Sequence, residues 1–193
     1  MKVCAIIPAG GRGTRMGGTT PKQFQALRGK PILHYTLRTL QESGLIDSLV
    51  LVVPEKELEI ARADWLEHPP VVKQIVAGGE KRQDSVFNGY QSLPTDTDIV
   101  LVHDGVRPFL SKEMIQETIH IAGEFGAAIT AIPVHDTLKQ VDGSGLVQRT
   151  VERDGLWRVQ TPQAFRYDLL GEAFRKAQAD SFYGTDEGAL IEY

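Results

Sequence analysis

Residues 3–16 read Val3-Cys4-Ala5-Ile6-Ile7-Pro8-Ala9-Gly10-Gly11-Arg12-Gly13-Thr14-Arg15-Met16. A short apolar run gives way at once to glycine and arginine. Such a run predicts a buried strand. Glycines directly after it let backbone N–H groups turn toward a ligand with no Cβ in the way. The rhythm recurs downstream. Pro31 opens a helix through about Ser43, with Leu33, Leu37 and Leu40 on one face and Gly44 as its stop. Apolar runs at 49–53, 72–78, 99–105 and 127–134 predict further strands, and 55–66, 84–93, 112–125 and 165–179 predict helices. Apolar strands separated by helices make an α/β fold, a mostly parallel sheet with helices on both faces. Ligands of such sheets sit beyond the carboxyl ends of the strands. The candidate site therefore draws on segments 9–22, 78–85, 103–108 and 134–137.

The rhythm breaks after Val134. The next stretch is polar, with Asp142-Gly143-Ser144-Gly145 between LKQV and LVQRTV, which predicts a β-hairpin. Its polar strands have little to bury against their own domain. Either it is a plain surface hairpin or it is an arm, about 135–157, that packs on a second subunit.

Length and composition fit one soluble domain. The chain has 193 residues, 41% hydrophobic and 24% charged. Its mass is 21.3 kDa, for which area scaling gives roughly 9,000 Å² folded against roughly 31,000 Å² unfolded. That supports a core without metal or disulfide staples. No apolar run reaches the ~18 residues of a membrane span, and the N-terminus has no signal-peptide pattern. The one cysteine, Cys4, predicts a buried thiol in a reducing, cytoplasmic compartment. A net charge of −4 argues against a general nucleic-acid binder, so an anionic ligand needs a local basic cluster.

That cluster is present. Arg12, Arg15 and Lys22 lie within eleven residues of one glycine loop, followed by Gln23 and Phe24. A neutral ligand has no use for three cations; a polyphosphate does. The loop is not a Walker A loop, since no Gly-Lys-Ser/Thr follows. It is not the dinucleotide fingerprint either, because Met16 stands where the third glycine belongs. Asp104, in His103-Asp104-Gly105-Val106-Arg107-Pro108, ends a strand, where a carboxylate can hold Mg²⁺ against phosphates. The competing reading is an Asp104–Arg107 pair that stabilises the turn, with His103 a packed histidine. In Gly78-Gly79-Glu80-Lys81-Arg82-Gln83-Asp84-Ser85, Asp84 or Ser85 is either a helix cap or a reader of a base or ribose. Thr137 with Lys139, and Arg153 before Asp154-Gly155-Leu156-Trp157, mark the two ends of the hairpin.

Together these segments resemble the cytidylyltransferases of the non-mevalonate isoprenoid pathway. The resemblance rests on AGGRGTRM, PKQF, GGEKRQDSV, HDGVRP, DTLK, TVERDGLWRVQTPQAF and TDEGALIEY, in the family's order from Met1 to Tyr193. It implies a single Rossmann-like domain of the nucleotide-diphospho-sugar transferase type over 1–193, with a protruding arm. It implies transfer of CMP from CTP to 2-C-methyl-D-erythritol 4-phosphate, with release of pyrophosphate. On this resemblance Arg15 and Lys22 are catalytic. Ala9, Gly10, Gly11, Arg12, Gly13, Gly79, Glu80, Ser85 and Asp104 bind the nucleotide. Asp104 supports Mg²⁺ or another divalent cation. Arg107, Thr137 and Arg153 hold the polyol phosphate. A cytoplasmic homodimer built on the arm is implied, with no nucleic-acid or membrane partner. The family also carries a further strand and helix beyond the equivalent of Tyr193, including a lysine near the site. This chain stops inside a helical pattern, as a truncated or partly ordered chain does, or as one that lacks the element. Ribitol-5-phosphate cytidylyltransferase shares the loop, lysine and metal segments but not the VERDGLW arm. A non-catalytic nucleotide-binding protein would be expected to have lost Arg15, Lys22 or Asp104. A nicotinamide dehydrogenase lacks support without the third glycine.

Overall fold

The structure is a computed structural model that describes residues 1–10 and 21–193. In chain order the elements are β1 (Val3–Pro8), a 3-10 turn (Lys22–Phe24), β2 (Ala26–Leu27), β3 (Lys30–Pro31) and α1 (Ile32–Ser43). Then follow β4 (Ser48–Val53), α2 (Leu58–Trp65), β5 (Val72–Ala77), α3 (Arg82–Gln91), β6 (Ile99–Val102) and α4 (Lys112–Phe125). The chain continues with β7 (Ala127–Pro133), β8 (Leu138–Val141), β9 (Val147–Val151), β10 (Trp157–Arg166), α5 (Tyr167–Ala179) and α6 (Glu187–Glu192).

The central sheet has the order β5-β4-β1-β6-β10-β7. Strands β5, β4, β1 and β6 pair in parallel, and β10 runs antiparallel between β6 and β7. The two-residue alternation of β1 divides the core. Ala5 and Ile7 face one cluster with Leu33, Leu37, Leu51, Leu101 and Ile115. Cys4 and Ile6 face another with Val50, Val52, Val100, Phe165 and Phe174. Helices α1, α2 and α4 cover the first face, and α3 and α5 the second. Cys4 is fully buried, 3.1 Å from Ser48 Oγ and 3.3 Å from Thr97 Oγ1, as a structural thiol should be. Helix α3 lies so close to the sheet that a Cβ on Gly89 would meet Ile6 Cγ2 at 2.6 Å and Val52 Cγ2 at 3.1 Å.

Several boundaries differ from the sequence expectation. The helix expected over 55–66 is a 3-10 turn (Glu55–Glu57) followed by α2, α3 ends at Gln91, and β6 ends at Val102. Residues 165–166 belong to β10, and α5 starts at Tyr167. The expected last helix therefore begins two residues late, after a strand that the sequence reading passed over. Helix α3 starts at Arg82, two residues earlier than expected. The hairpin forms as expected from β8 and β9, with Asp142 in its turn.

The sheet reverses direction of growth beside β1: β4 and β5 lie on one side, β6 on the other. Such a switch point opens a crevice at the carboxyl ends of the strands. The chain leaving β1 is held there, with Ala9 N donating to Val52 O at 2.7 Å. Gly105 N donates to Pro8 O at 3.2 Å, and Gly78 N to Val53 O at 2.8 Å. Three of the four candidate segments are thus pinned to one sheet edge by extensions of the strand ladder.

Candidate active site

Ala9 and Gly10 stand at the end of β1. Gly11, Arg12, Gly13 and Arg15 lie outside the described residues. Lys22 opens the 3-10 turn that follows; the turn is anchored by Gln23, whose side chain is buried, and by Phe24 against the core.

The loop after β5 is shaped by Ser85 and Asp84. Ser85 Oγ accepts from Gly79 N at 3.1 Å and donates to Lys81 O at 3.1 Å. Asp84 Oδ2 accepts from Lys81 N at 3.0 Å, reaching back over the first turn of α3. Neither is the N-cap residue; Lys81 holds that position. A Cβ on Gly79 would collide with Asp84 Cβ, so glycine is required for the loop to close so tightly. Gly79 and Glu80 are exposed at the edge.

The richest constellation surrounds Asp104. Its backbone N–H donates to Thr161 Oγ1 at 3.2 Å. Oδ2 accepts from Arg107 Nε at 3.0 Å, and Oδ1 from Arg82 Nε and Nη2 at 3.4 Å each. Arg107 Nη1 in turn donates to Gln160 Oε1. The Asp104–Arg107 contact of the competing reading is therefore present, but it is half of a larger arrangement. Arg82 Nη1 reaches both carboxylate oxygens of Glu187 at 2.8 Å, and the Glu187 side chain is only 1% exposed. Burial works against the charge on Arg82, and Glu187 and Asp104 more than offset it. Burial pushes the Glu187 carboxyl up while Arg82 pulls it back. Two guanidiniums and two carboxylates thus meet where β6, α3 and α6 converge.

His103 is buried, and burial pushes its imidazole down to about 4. It is neutral at physiological pH, with Nε2–H donating to Arg107 O at 3.0 Å. It braces the turn carrying Asp104 and Arg107 and is no proton carrier at neutral pH.

Thr137 and Arg153 are exposed at the base of the arm, flanking the Leu138–Val151 pair. Arg153 Nη1 donates to His135 O. Among the described residues no hydrogen bond or ion pair joins either of them to Lys22, Asp104 or Arg107. A cavity of about 170 Å³ lined by Gln83, Phe87, Phe174 and Tyr183 includes Asp84 but neither Ser85 nor any of the candidate cations. The strand ends, and not that cavity, bring the charged groups together. Sequence reasoning missed Arg82, Gln160, Thr161 and Glu187. The available signal was their place inside the quoted GGEKRQDSV, TVERDGLWRVQTPQAF and TDEGALIEY segments.

Residues 3–193 match the family model of 2-C-methyl-D-erythritol 4-phosphate cytidylyltransferase. A protein of that name from Syntrophus aciditrophicus is 44% identical over 99% of this chain and 82% of its own length. One from Pelotomaculum thermopropionicum is 45% identical over 99% and 81%. The crystal structure of 4-diphosphocytidyl-2C-methyl-D-erythritol synthase from Anaerococcus prevotii superposes with a TM-score of 0.84 at 34% identity, covering 99% of this chain and 83% of that one.

Proposed function

The chain belongs to the 2-C-methyl-D-erythritol 4-phosphate cytidylyltransferase family, and from that premise we propose how its residues carry out the family's reaction. The enzyme transfers CMP from CTP to 2-C-methyl-D-erythritol 4-phosphate, giving 4-diphosphocytidyl-2-C-methyl-D-erythritol and pyrophosphate. The observation that carries this is the match at 44–45% identity across the whole chain.

A phosphate oxygen of the polyol attacks the α-phosphorus of CTP. One P–O bond forms, the bond to the β-phosphate oxygen breaks, and pyrophosphate leaves with the electron pair. The nucleophile is already an anion, so no strong base is needed, in keeping with the neutral His103. Catalysis is positioning plus neutralisation of charge on the pentacoordinate phosphorus. Lys22 and Arg15 are the proposed neutralisers. Ala9, Gly10, Gly11, Arg12 and Gly13 hold the triphosphate, and Gly79, Glu80 and Ser85 line the cytidine side. Ser85 is already bonded within its own loop, which favours an indirect role in shaping that side.

Asp104 is the proposed support for Mg²⁺. Among the described residues no three potential ligands cluster, which rules out an all-protein cage built from them. Mg²⁺ ordinarily takes one or two carboxylates with phosphate oxygens and water. Asp104 fits that role: it is a quarter exposed, and Oδ1 is held only by long contacts. A bound Mg²⁺ would offset charge on the triphosphate oxygens.

Arg107, Thr137 and Arg153 are the proposed holders of the polyol phosphate, and the arm favours a homodimer that shares its sites. A cytoplasmic location suits a CTP-consuming enzyme with one buried thiol. The test is pyrophosphate release from CTP and Mg²⁺ with either methylerythritol phosphate or ribitol 5-phosphate. Turnover with the first supports the reading. Turnover with ribitol 5-phosphate alone, or with neither, overturns it.

A further inference from the structure

Glu187 has no place in the mechanism above, yet it is the most deeply buried carboxylate among the described residues. We propose that Glu187 is a positioning residue for Asp104. It acts through Arg82, whose charge it neutralises so that Asp104 stays available to a cation bound with the triphosphate. This rests on reading Asp104 as the metal-supporting carboxylate.

The geometry separates the two carboxylates around Arg82. Glu187 takes Nη1 with both oxygens at 2.8 Å, while Asp104 receives Nε and Nη2 only at 3.4 Å. Charge-assisted contacts at 2.7–2.9 Å are the strong ones, so Arg82 belongs to Glu187 first and to Asp104 second. Asp104 also carries Arg107 at 3.0 Å. Without Glu187, one carboxylate would face two guanidiniums, and a cation would approach a net positive cluster. With Glu187 these four charges sum to zero, and the cluster around Asp104 no longer opposes a cation arriving with a triphosphate.

Glu187 is not needed merely to hold α6. Asp186 Oδ1 already caps that helix, accepting from Ala189 N at 3.0 Å. Gln163 Nε2 donates to Asp186 Oδ2 at 2.8 Å. Gln83 holds the preceding segment from both sides, through Phe182 O at 3.1 Å and Gly184 N at 2.9 Å. The anchoring is independent, so the buried charge is free to serve Arg82.

The test measures binding of the Mn²⁺–CTP complex by water-proton relaxation and binding of metal-free CTP by calorimetry, so no turnover is required. Glu187→Gln keeps the shape and loses the charge. It should weaken Mn²⁺–CTP binding about tenfold or more, the usual cost of losing a partner behind a metal ligand. Metal-free CTP, a polyanion, should bind no more weakly than before. Adding Arg82→Gln removes the uncompensated guanidinium and should restore most of the metal affinity, which a purely structural role would not do. Should Glu187→Gln not fold, Glu187→Asp replaces it. That variant withdraws the carboxylate from Arg82 by one methylene, and a smaller loss is expected. Parent-level Mn²⁺–CTP binding in the Glu187 variants, alongside a loss in Asp104→Asn, would overturn the proposal and leave Glu187 a helix anchor. Parent-level binding in Asp104→Asn as well would overturn the metal reading itself, and this proposal with it.

Discussion

Lys22 follows the glycine-rich segment in sequence, on a turn whose Gln23 is buried and whose Phe24 packs on the core. A cation so anchored is best placed to act where charge builds up in the transition state, not on ground-state CTP. Lys22→Ala should therefore lower kcat on the order of 10²–10³, as loss of one such donor does, with CTP affinity by calorimetry changed much less. A loss of CTP affinity with kcat nearly unchanged would assign Lys22 to binding alone. Residue types at strand ends were readable because cations, glycines and a strand-terminal carboxylate each mean something locally. Arg82 and Glu187 lie inside quoted segments, but nothing in the sequence says that they pair. They sit 105 residues apart, and Glu187 looks like any acid in the first turn of a helix. Only the fold shows that it points inward.

At the scale of elements, β1, β4 and β6 were legible because both sheet faces are covered there, so nearly every position is apolar. The edge strand β5 was read from Val72, Ile75 and Val76 despite its exposed Lys73 and Gln74. β10 was not, for a physical reason. Its first half is exposed, Pro162 interrupts it, and its register shifts between Val159 and Gln163. Phe165 then joins the core and was read into the next helix. The close seat of α3 yields a prediction. Gly89→Ala gains about 1 kcal/mol of helix propensity. Against that, a Cβ 2.6 Å from the fully buried Ile6 must push helix from sheet, an overpacking cost of about 1–3 kcal/mol. A branched core side chain cannot swing away, so the cost wins, and the urea midpoint should fall. An unchanged midpoint would mean the seat is looser than its geometry. The arm's turn yields another. Asp142 accepts from Ser144 Oγ, Leu146 N, Gln148 Nε2 and Ser144 N, which hold its carboxyl down at about 2 against 3.8 for the free side chain. A depressed carboxylate contributes stability above its unfolded value, and that contribution is lost as pH falls through the folded one. Amide protection across β8 and β9 should thus be flat above about pH 5 and fall between about 4 and 2. In Asp142→Asn the protection should already be reduced at pH 7.

At the scale of the whole molecule, the accessible surface is 11102 Å², above the roughly 9,000 Å² expected of a compact chain of this mass. The arm, exposed along nearly all of β8 and β9, is part of that excess. It also leaves apolar side chains uncovered: Leu146 at 68%, Val147 at 62% and Trp157 at 60%. A two-stranded hairpin is marginal alone, so it would hold Thr137 and Arg153 poorly for substrate work in a lone subunit. Docked on a second copy by a two-fold axis, the arm would cover those side chains. It would also bring Arg153 to a phosphate, which arginine grips with two parallel bonds. Arg153→Ala should then raise KM for the polyol phosphate with CTP binding nearly unchanged. The decisive experiment mixes two weak variants, Lys22→Ala and Arg153→Ala. If each arm serves its partner's site, a mixed dimer holds one site with both residues intact and one with neither. Random exchange makes about half of the dimers mixed, so activity should return to about a quarter of the parent level, on the time scale of subunit exchange. If mass spectrometry shows exchange complete and activity stays at the level of the separate variants, Arg153 serves its own subunit, and the arm's uncovered side chains need another explanation.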